Sequence, residues 1–204
     1  GSSGSSAGSA SSVVAGLVGF ALGSETLGSI ISPSVRCGAT ALRPTFGRVS
    51  RDRCMPLCWS LDKIGPIARS MEDCALIFNA IHGRDGNDHT AGSYPFQWPS
   101  KRSLKNLKVG YSKRRNTSDE DRQDLQILKS MGCELVELRL PRSLPFSAMF
   151  SIIDVEASTV FDSMIREDDM EGFNLWKQNF RAAQYVSAVD YVRVQRARSL
   201  LISQ

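Results

Sequence analysis

The spacing of apolar and polar positions marks out the elements. Residues 6–17 are small and helix-tolerant, with Ala7, Ala10, Val13, Val14, Ala15 and Leu17. A helix with so little side-chain bulk can pack closely against other backbone. Residues 18–23, Val-Gly-Phe-Ala-Leu-Gly, form a short apolar run that predicts a buried strand. A turn of small polar residues follows over 24–29, and Pro33 can open a short helix in its first turn. Residues 39–42 predict another short strand. Residues 43–65 carry Pro44, Gly47, Pro56 and Gly65 and read as loop. Ser70 as N-cap, with Asp73 three residues on, predicts a helix over 71–82. Its inner face would carry Cys74, Leu76, Ile77, Ala80 and Ile81. Residues 83–106 read as a long polar surface excursion.

The second half changes pattern. Residues 107–111 alternate as a strand. Residues 118–131 predict a helix with Leu125, Ile127, Leu128 and Met131 inward, ended by Gly132. Residues 133–140 read as a second strand. A strand, a helix and a strand over this length predict a crossover in a parallel or mixed sheet. Residues 146–166 and about 187–203 read as helical. The whole is an α/β pattern: a mixed β-sheet core flanked by helices.

Composition narrows the class. Apolar residues make up 42% and charged residues 23% of 204, ordinary values for a soluble globular chain. The net charge of +4 is weak for a nucleic-acid binder. The one dense basic run, Lys113-Arg114-Arg115, has Lys101, Arg102, Lys105 and Lys108 upstream and reads as a solvated loop and helix start. No run of about 18 apolar residues is present, so no membrane span is expected. The five cysteines are irregularly spaced, and no second pair completes a metal set for Cys54 and Cys58. Reduced thiols and a cytoplasmic location fit this usage. His82 and His89 read as surface residues near a helix end. The opening Gly-Ser-Ser-Gly-Ser-Ser has the composition of an expression linker, so residues 1–3 are set apart from the reading of the fold.

Ser29 is the first residue to suggest chemistry. It lies just after an apolar strand, in the turn Thr26-Leu27-Gly28-Ser29. A tight turn after a strand can aim several N–H groups at one point and so hold an oxyanion. A serine needs a base to take its proton, and neither histidine is placed near Ser29. That disfavours a Ser-His-Asp arrangement and leaves a neutral lysine acting through a second hydroxyl.

Residues 4–50 contain a Gly-Ser-Ser element, the small-residue helix, the apolar strand, the Thr26-Leu27-Gly28-Ser29-Ile30 turn and Cys37-Gly38. They end in Arg43-Pro44-Thr45-Phe46-Gly47-Arg48-Val49-Ser50. Ser60-Leu61-Asp62, Gly65-Pro66 and Ala68-Arg69-Ser70 follow, with weaker matches at Asp154-Val155-Glu156-Ala157, Tyr191, Arg196 and Arg198. In this order the chain resembles the amidase-signature family, strongly over about 4–80 and more weakly over most of the rest. The resemblance implies one partial amidase-signature domain over 1–204, cut at both ends, with a strand-helix-strand and helical region over about 104–204. It implies amide hydrolysis by a Ser–Ser–Lys mechanism without cofactor or metal. Ser29 is then similar to the nucleophile, and Ser5 to the bridging serine, which in the family follows a cis peptide bond. The N–H groups of Thr26, Leu27, Gly28 and Ser29 are similar to the oxyanion hole. The family lysine has no counterpart upstream of Ser5, and Lys63, the first lysine in the chain, sits beside Asp62 in a different motif.

The implied partners are a small-molecule amide and either a second copy or, for amidotransferase members, partner subunits, with no direct nucleic-acid contact. Two rival readings are kept. One is the glutaminase-type component of a tRNA-dependent amidotransferase. The other is a non-catalytic protein on a degenerate amidase fold. Glu25, Leu27 and Ile31 stand where the family often has Asp, Gly and Arg, so the polar network of the turn is expected to differ. Cys37 reads as a small buried packing residue before a nucleophile, Trp59 and Phe46 as core packing before walls of an acyl pocket, Arg43 and Arg48 as ion-pair or carbonyl partners before holders of a substrate carboxylate, and Asp62 as a hydrogen-bonding support for a loop.

Overall fold

The computed structural model describes residues 3–100, 102–113, 118, 122–139, 146–174 and 176–203. The chain opens with α1 (Ala7–Val14), then β1 (Ala21–Glu25), α2 (Ile31–Cys37) and β2 (Thr40–Ala41). After a long irregular stretch come β3 (Lys63–Ala68) and α3 (Met71–Ile81). The unit β4 (Lys108–Tyr111), α4 (Gln123–Ser130) and β5 (Glu134–Glu137) follows. A 3₁₀ turn (Phe146–Met149) leads into α5 (Phe150–Val160), α6 (Asp162–Arg166), α7 (Trp176–Ala183) and α8 (Ala188–Ser203). The α/β class is as expected. The two kinds of pairing, however, lie in separate sheets. One is antiparallel in the order β1-β3-β2, and the other is the parallel pair β4-β5.

The first core is built from small and β-branched side chains. Ala10 and Val13 of α1 meet Ile30 and Ile67, all fully buried, with Ala21, Cys37, Ala39 and Ala41 packed around them. Burying an isoleucine contributes roughly 1.5–3 kcal/mol. The alanine-rich face of α1 lets the helix lie close to β1. A Cβ on Gly23 of that strand would already press on the Ser6 hydroxyl at 2.8 Å.

Two strand expectations shift. β1 begins at Ala21 and runs through Ser24 and Glu25, which the sequence pattern assigns to the turn. β3, the central strand, begins inside the stretch read as loop. Gly65-Pro66 reads as a chain breaker, yet both residues are tolerated here. A strand residue's N–H and C=O face the same edge. Pro66 gives its carbonyl to the Leu42 N–H at 3.0 Å, so its missing N–H faces the point where β2 has already ended. Gly65 sits where the chain passes closest. A Cβ there would meet the Leu42 carbonyl oxygen and, at 2.8 Å, the Pro44 ring.

α3 forms as the cap signal predicts: the Asp73 N–H donates to the Ser70 hydroxyl at 3.1 Å. Its buried face is Cys74, Ala75 and Phe78, rotated from the expected one, and Leu76 and Ala80 are exposed. Phe78 sets that face by stacking against His82 and meeting Phe96 edge-on. In α4 only Leu125 is buried, and Ile127 (59% exposed) and Met131 face outward. Gly132 takes φ +85° after α4, the left-handed stop that the sequence suggests. Residues 119–121 and 140, inside the expected helix and strand, lie outside the described residues, as do Lys101, Arg114 and Arg115 of the basic stretches.

The expected helix 146–166 is broken at Phe161, which turns inward beside Phe173 and Phe180. α7 is an addition to the sequence reading. It buries Phe180 and Ala183, too short an apolar stripe to stand out. Among the described residues no helix is long and apolar enough to cross a membrane. Substituting Gly65→Ala is expected to cost about 1–3 kcal/mol through overpacking against Leu42 and Pro44. A fall in the thermal unfolding midpoint checks it, and an unchanged midpoint would show that β3 can move aside.

Candidate active site

The turn after β1 is fastened from several sides. Gly28 takes φ +87°, a conformation that favours glycine. Ser6, buried at the head of α1, spans the turn: its N–H donates to the Ser29 carbonyl and its hydroxyl to the Ser24 carbonyl, both at 3.1 Å. The peptide between Gly4 and Ser5 is cis, as the resemblance implies for the bridging serine. Ser3 and Ser32 are joined through their hydroxyls. Ser29 is half-buried and Ser5 exposed.

Glu25 closes the C-terminal side of the turn. One carboxylate oxygen accepts the N–H groups of Ile30 (2.8 Å) and Ile31 (3.0 Å), and the other faces the Arg43 guanidinium at 3.6 Å. The longer glutamate therefore serves the backbone around Ile31, and Arg43 supplies a cation to the cluster from another strand end. Thr26 is gripped by the two residues at the start of β3. Its hydroxyl donates to Asp62 at 2.5 Å, and its carbonyl accepts from the Lys63 amine at 3.0 Å. Asp62 in turn accepts the N–H groups of Leu57 and Cys58. Lys63 is buried. Desolvation pushes its amine below the usual lysine range, aided by Arg43, while Glu25 and Asp62 oppose the shift.

A cleft of about 460 Å³ opens beside this turn, and its walls include Ser5, Ser24, Thr26, Arg51, Trp59, Asp62 and Lys63. Arg51 organises the far wall, holding Asp88 at 3.2 Å and the Trp59 carbonyl at 2.6 Å while lying over the Phe46 ring. Burial would raise the Asp88 carboxyl. Hydrogen bonds from Thr90 and Arg51 outweigh it and hold the group far below its ordinary range. A second, apolar groove of about 580 Å³ borders Leu27, Phe46, Lys63, Phe150, Ile153 and Ile202. Leu27, 61% exposed, thus makes the wall beside the turn greasy, as its side chain implies. Ser29 is not among the residues lining either cavity.

Behind the cleft lies a buried carboxylate, Glu156 of α5. It accepts from the Ser60 N–H (2.9 Å), the Ser60 hydroxyl (2.7 Å), the Cys58 thiol (3.0 Å) and the Tyr191 hydroxyl (2.8 Å). Arg198 of α8 donates to the Ser60 hydroxyl and carbonyl at 2.7 and 2.6 Å. Burial pushes the Cys58 thiol up to about 12, helped by its bond to Glu156. Burial would also raise Glu156, but the four donors outweigh it and hold the group below its ordinary range.

Comparison with known proteins fits this arrangement. The sequence matches the Amidase family model over residues 2–201. The chain belongs to the amidase family. It is 40% identical over 160 residues to the A-type subunit of the glutamyl-tRNA(Gln) amidotransferase from Akkermansia muciniphila, covering 74% of this chain and 34% of that protein. One solved structure comes from a vestigial protein complex linked to the evolutionary origins of an s-triazine catabolic enzyme. It superposes with a TM-score of 0.79 at 30% identity, over 97% of this chain and 45% of that one. The native peptide amidase of Stenotrophomonas maltophilia superposes with a TM-score of 0.74 at 25% identity, over 95% and 47%. The chain spans about a third of the length of the curated relatives it matches.

Set on this amidase-family frame, Ser5 and the 26–29 turn come to one region, joined through Ser6. Asp62 supports the loop as expected, and Arg43 and Arg48 are engaged as expected: Arg48 donates to the Tyr94 and Pro95 carbonyls. Cys37 packs against the first core. His89 is exposed, whereas His82 is tucked between Phe78 and Phe96. The sequence pattern gives no role to Arg51, sets Lys63 aside in a different motif, and places Glu156, Tyr191 and Arg198 among the weaker family matches without joining them in a hub. For Lys63 the signal was adjacency to Asp62. For Glu156 it was an acid on the inner face of a helix otherwise lined by Ile152, Ile153 and Ala157.

Two outcomes are expected. Glu25→Ala strands two backbone donors and should cost about 3 kcal/mol. Glu25→Gln keeps one acceptor and should cost less, a ranking that urea melts check. Glu156 has a depressed folded pKa. Its stabilisation is therefore full above the ordinary value of 4.5 and is lost as pH falls through the folded value. The stability gap between wild type and Glu156→Gln should shrink below pH about 4.5, and a gap that widens on acidification would contradict the sign.

Proposed function

We propose that this chain carries the nucleophile and its relay for hydrolysis of an amide C–N bond. Ser29 is the nucleophile, Ser5 the bridging serine, and the N–H groups of Thr26, Leu27, Gly28 and Ser29 the oxyanion hole. The observation that carries this reading is the double fastening by Ser6, which binds the backbone at Ser29 and at Ser24 and so ties the segment holding Ser5 to the turn holding Ser29. The relatives' names, among them a peptide amidase, support the same chemistry.

The steps follow from the groups assigned. The Ser29 oxygen attacks the carbonyl carbon as its proton passes to the Ser5 oxygen. The Ser5 proton passes to a neutral lysine from sequence outside these 204 residues. Negative charge on the carbonyl oxygen is met by the turn N–H groups, and losing one such donor typically costs about 3–4 kcal/mol of activation energy. Collapse of the adduct breaks the C–N bond, and the amine leaves with the proton returned through Ser5. Water, deprotonated by the same relay, then releases the acid and restores Ser29.

A second reading has its own support. The curated relatives at about 40% identity are A-type subunits of glutamyl-tRNA(Gln) amidotransferases, which favours glutamine as the amide and partner subunits as receivers of its ammonia. A small amide substrate, a homodimer and a cytoplasmic location remain with the first reading as parts of the proposal.

Fluorophosphonate labelling of the full-length protein tests the assignment. Labelling should vanish in Ser29→Ala and persist in Cys37→Ala, and labelling that survives Ser29→Ala would remove Ser29 from the role. Ammonia release from glutamine that rises on adding amidotransferase partner subunits would select the second reading over the first.

A further inference from the structure

We propose that Lys63 is a positioning residue for the oxyanion turn: its amine holds the Thr26 carbonyl and so aims the Leu27 N–H toward the reacting carbonyl. The proposal deepens the reading of Ser29 as nucleophile and rests on it.

The argument is one of peptide geometry. The Thr26 carbonyl and the Leu27 N–H belong to one planar trans unit and point in opposite directions. Fixing one therefore fixes the other. The Lys63 amine takes the carbonyl at 3.0 Å, and the Thr26 hydroxyl is tied at 2.5 Å to Asp62, the preceding residue. Two adjacent residues at the head of β3 thus grip one residue of the turn at two points, which removes its freedom to rotate. The grip is itself anchored. Lys63 pairs with Glu25 across the β1–β3 ladder, and Asp62 is held by the Leu57 and Cys58 N–H groups. A buried amine is costly unless it is satisfied, and this one lies under the turn between the two cavities, where it borders both. A lysine kept only to balance Asp62 and Glu25 would not need to spend a donor on a neutral carbonyl of the turn.

The test uses the full-length protein and two substitutions. Lys63→Met keeps the bulk and removes the donor, and Lys63→Gln keeps an N–H that can reach a carbonyl. Three readouts are taken: the rate of fluorophosphonate labelling at Ser29, amide hydrogen exchange of the peptide spanning residues 24–31, and the thermal unfolding midpoint. Lys63→Met should label about 10- to 100-fold more slowly, at or below the loss expected for a missing oxyanion donor, and should exchange faster. Lys63→Gln should recover most of both. Labelling and exchange unchanged in Lys63→Met would overturn the proposal. Equal loss of labelling in both variants with unchanged exchange would overturn it too, because Lys63 would then carry a proton rather than hold a carbonyl. A loss that simply tracks a lowered unfolding midpoint, without recovery in Lys63→Gln, would reduce Lys63 to a structural residue. If wild type fails to label, the nucleophile assignment falls, and exchange alone decides whether Lys63 holds the turn.

Discussion

A turn can be held in place without spending its own N–H groups. The segment after β1 is fastened in this way, through its carbonyls, its flanking N–H groups and one side chain. Ser6 takes the carbonyls of Ser24 and Ser29, Lys63 takes that of Thr26, Asp62 takes the Thr26 hydroxyl, and Glu25 absorbs the N–H groups of Ile30 and Ile31. Every one of these partners lies at the head of α1, on β1 or at the head of β3. The closeness of α1 to β1, made possible by alanine and glycine at their contact, is therefore a condition of the site as well as of the core.

The head of β3 depends in turn on the helices that follow. Residues 57–62 have little regular structure, and their backbone polar groups need partners. Asp62 serves the N–H groups of Leu57 and Cys58, Glu156 serves that of Ser60, and Arg198 takes the Ser60 carbonyl. A carboxylate this buried is tolerable only with its acceptor sites filled, and four donors from Cys58, Ser60 and Tyr191 fill them. α5 and α8 are thereby coupled to the turn through a short relay of charge-assisted bonds: Glu156 to Ser60, along the chain to Asp62, and from Asp62 to Thr26.

How much of this the sequence discloses follows from the range of each interaction. The Ser70–Asp73 cap and the Gly132 stop are local, a few residues across, and both are legible. Ser5 and the 26–29 turn are legible because a run of ordered small residues is matched in one family. β3 is obscured because Gly65-Pro66 carries the local signature of a turn, and only the end of β2 across the sheet makes that proline harmless. The face of α3 is misjudged because Phe78 finds His82 and Phe96, one of them far along the chain. Glu156 meets Ser60 across a separation of 96 residues, beyond any periodicity.

The same reasoning bears on the departures at Glu25 and Ile31. A glutamate in place of aspartate adds one methylene, which lets the carboxylate reach past the turn to two successive N–H groups while its second oxygen faces Arg43. A cation arriving from residue 43 leaves position 31 without a charge to supply, and an apolar side chain can stand there without an unmet carboxylate beside it. Arg43, which lies in a stretch that matches the family, thus faces the Glu25 carboxylate where position 31 supplies no charge. The turn then keeps its electrostatic balance while Leu27 and Ile31 make its outer face apolar.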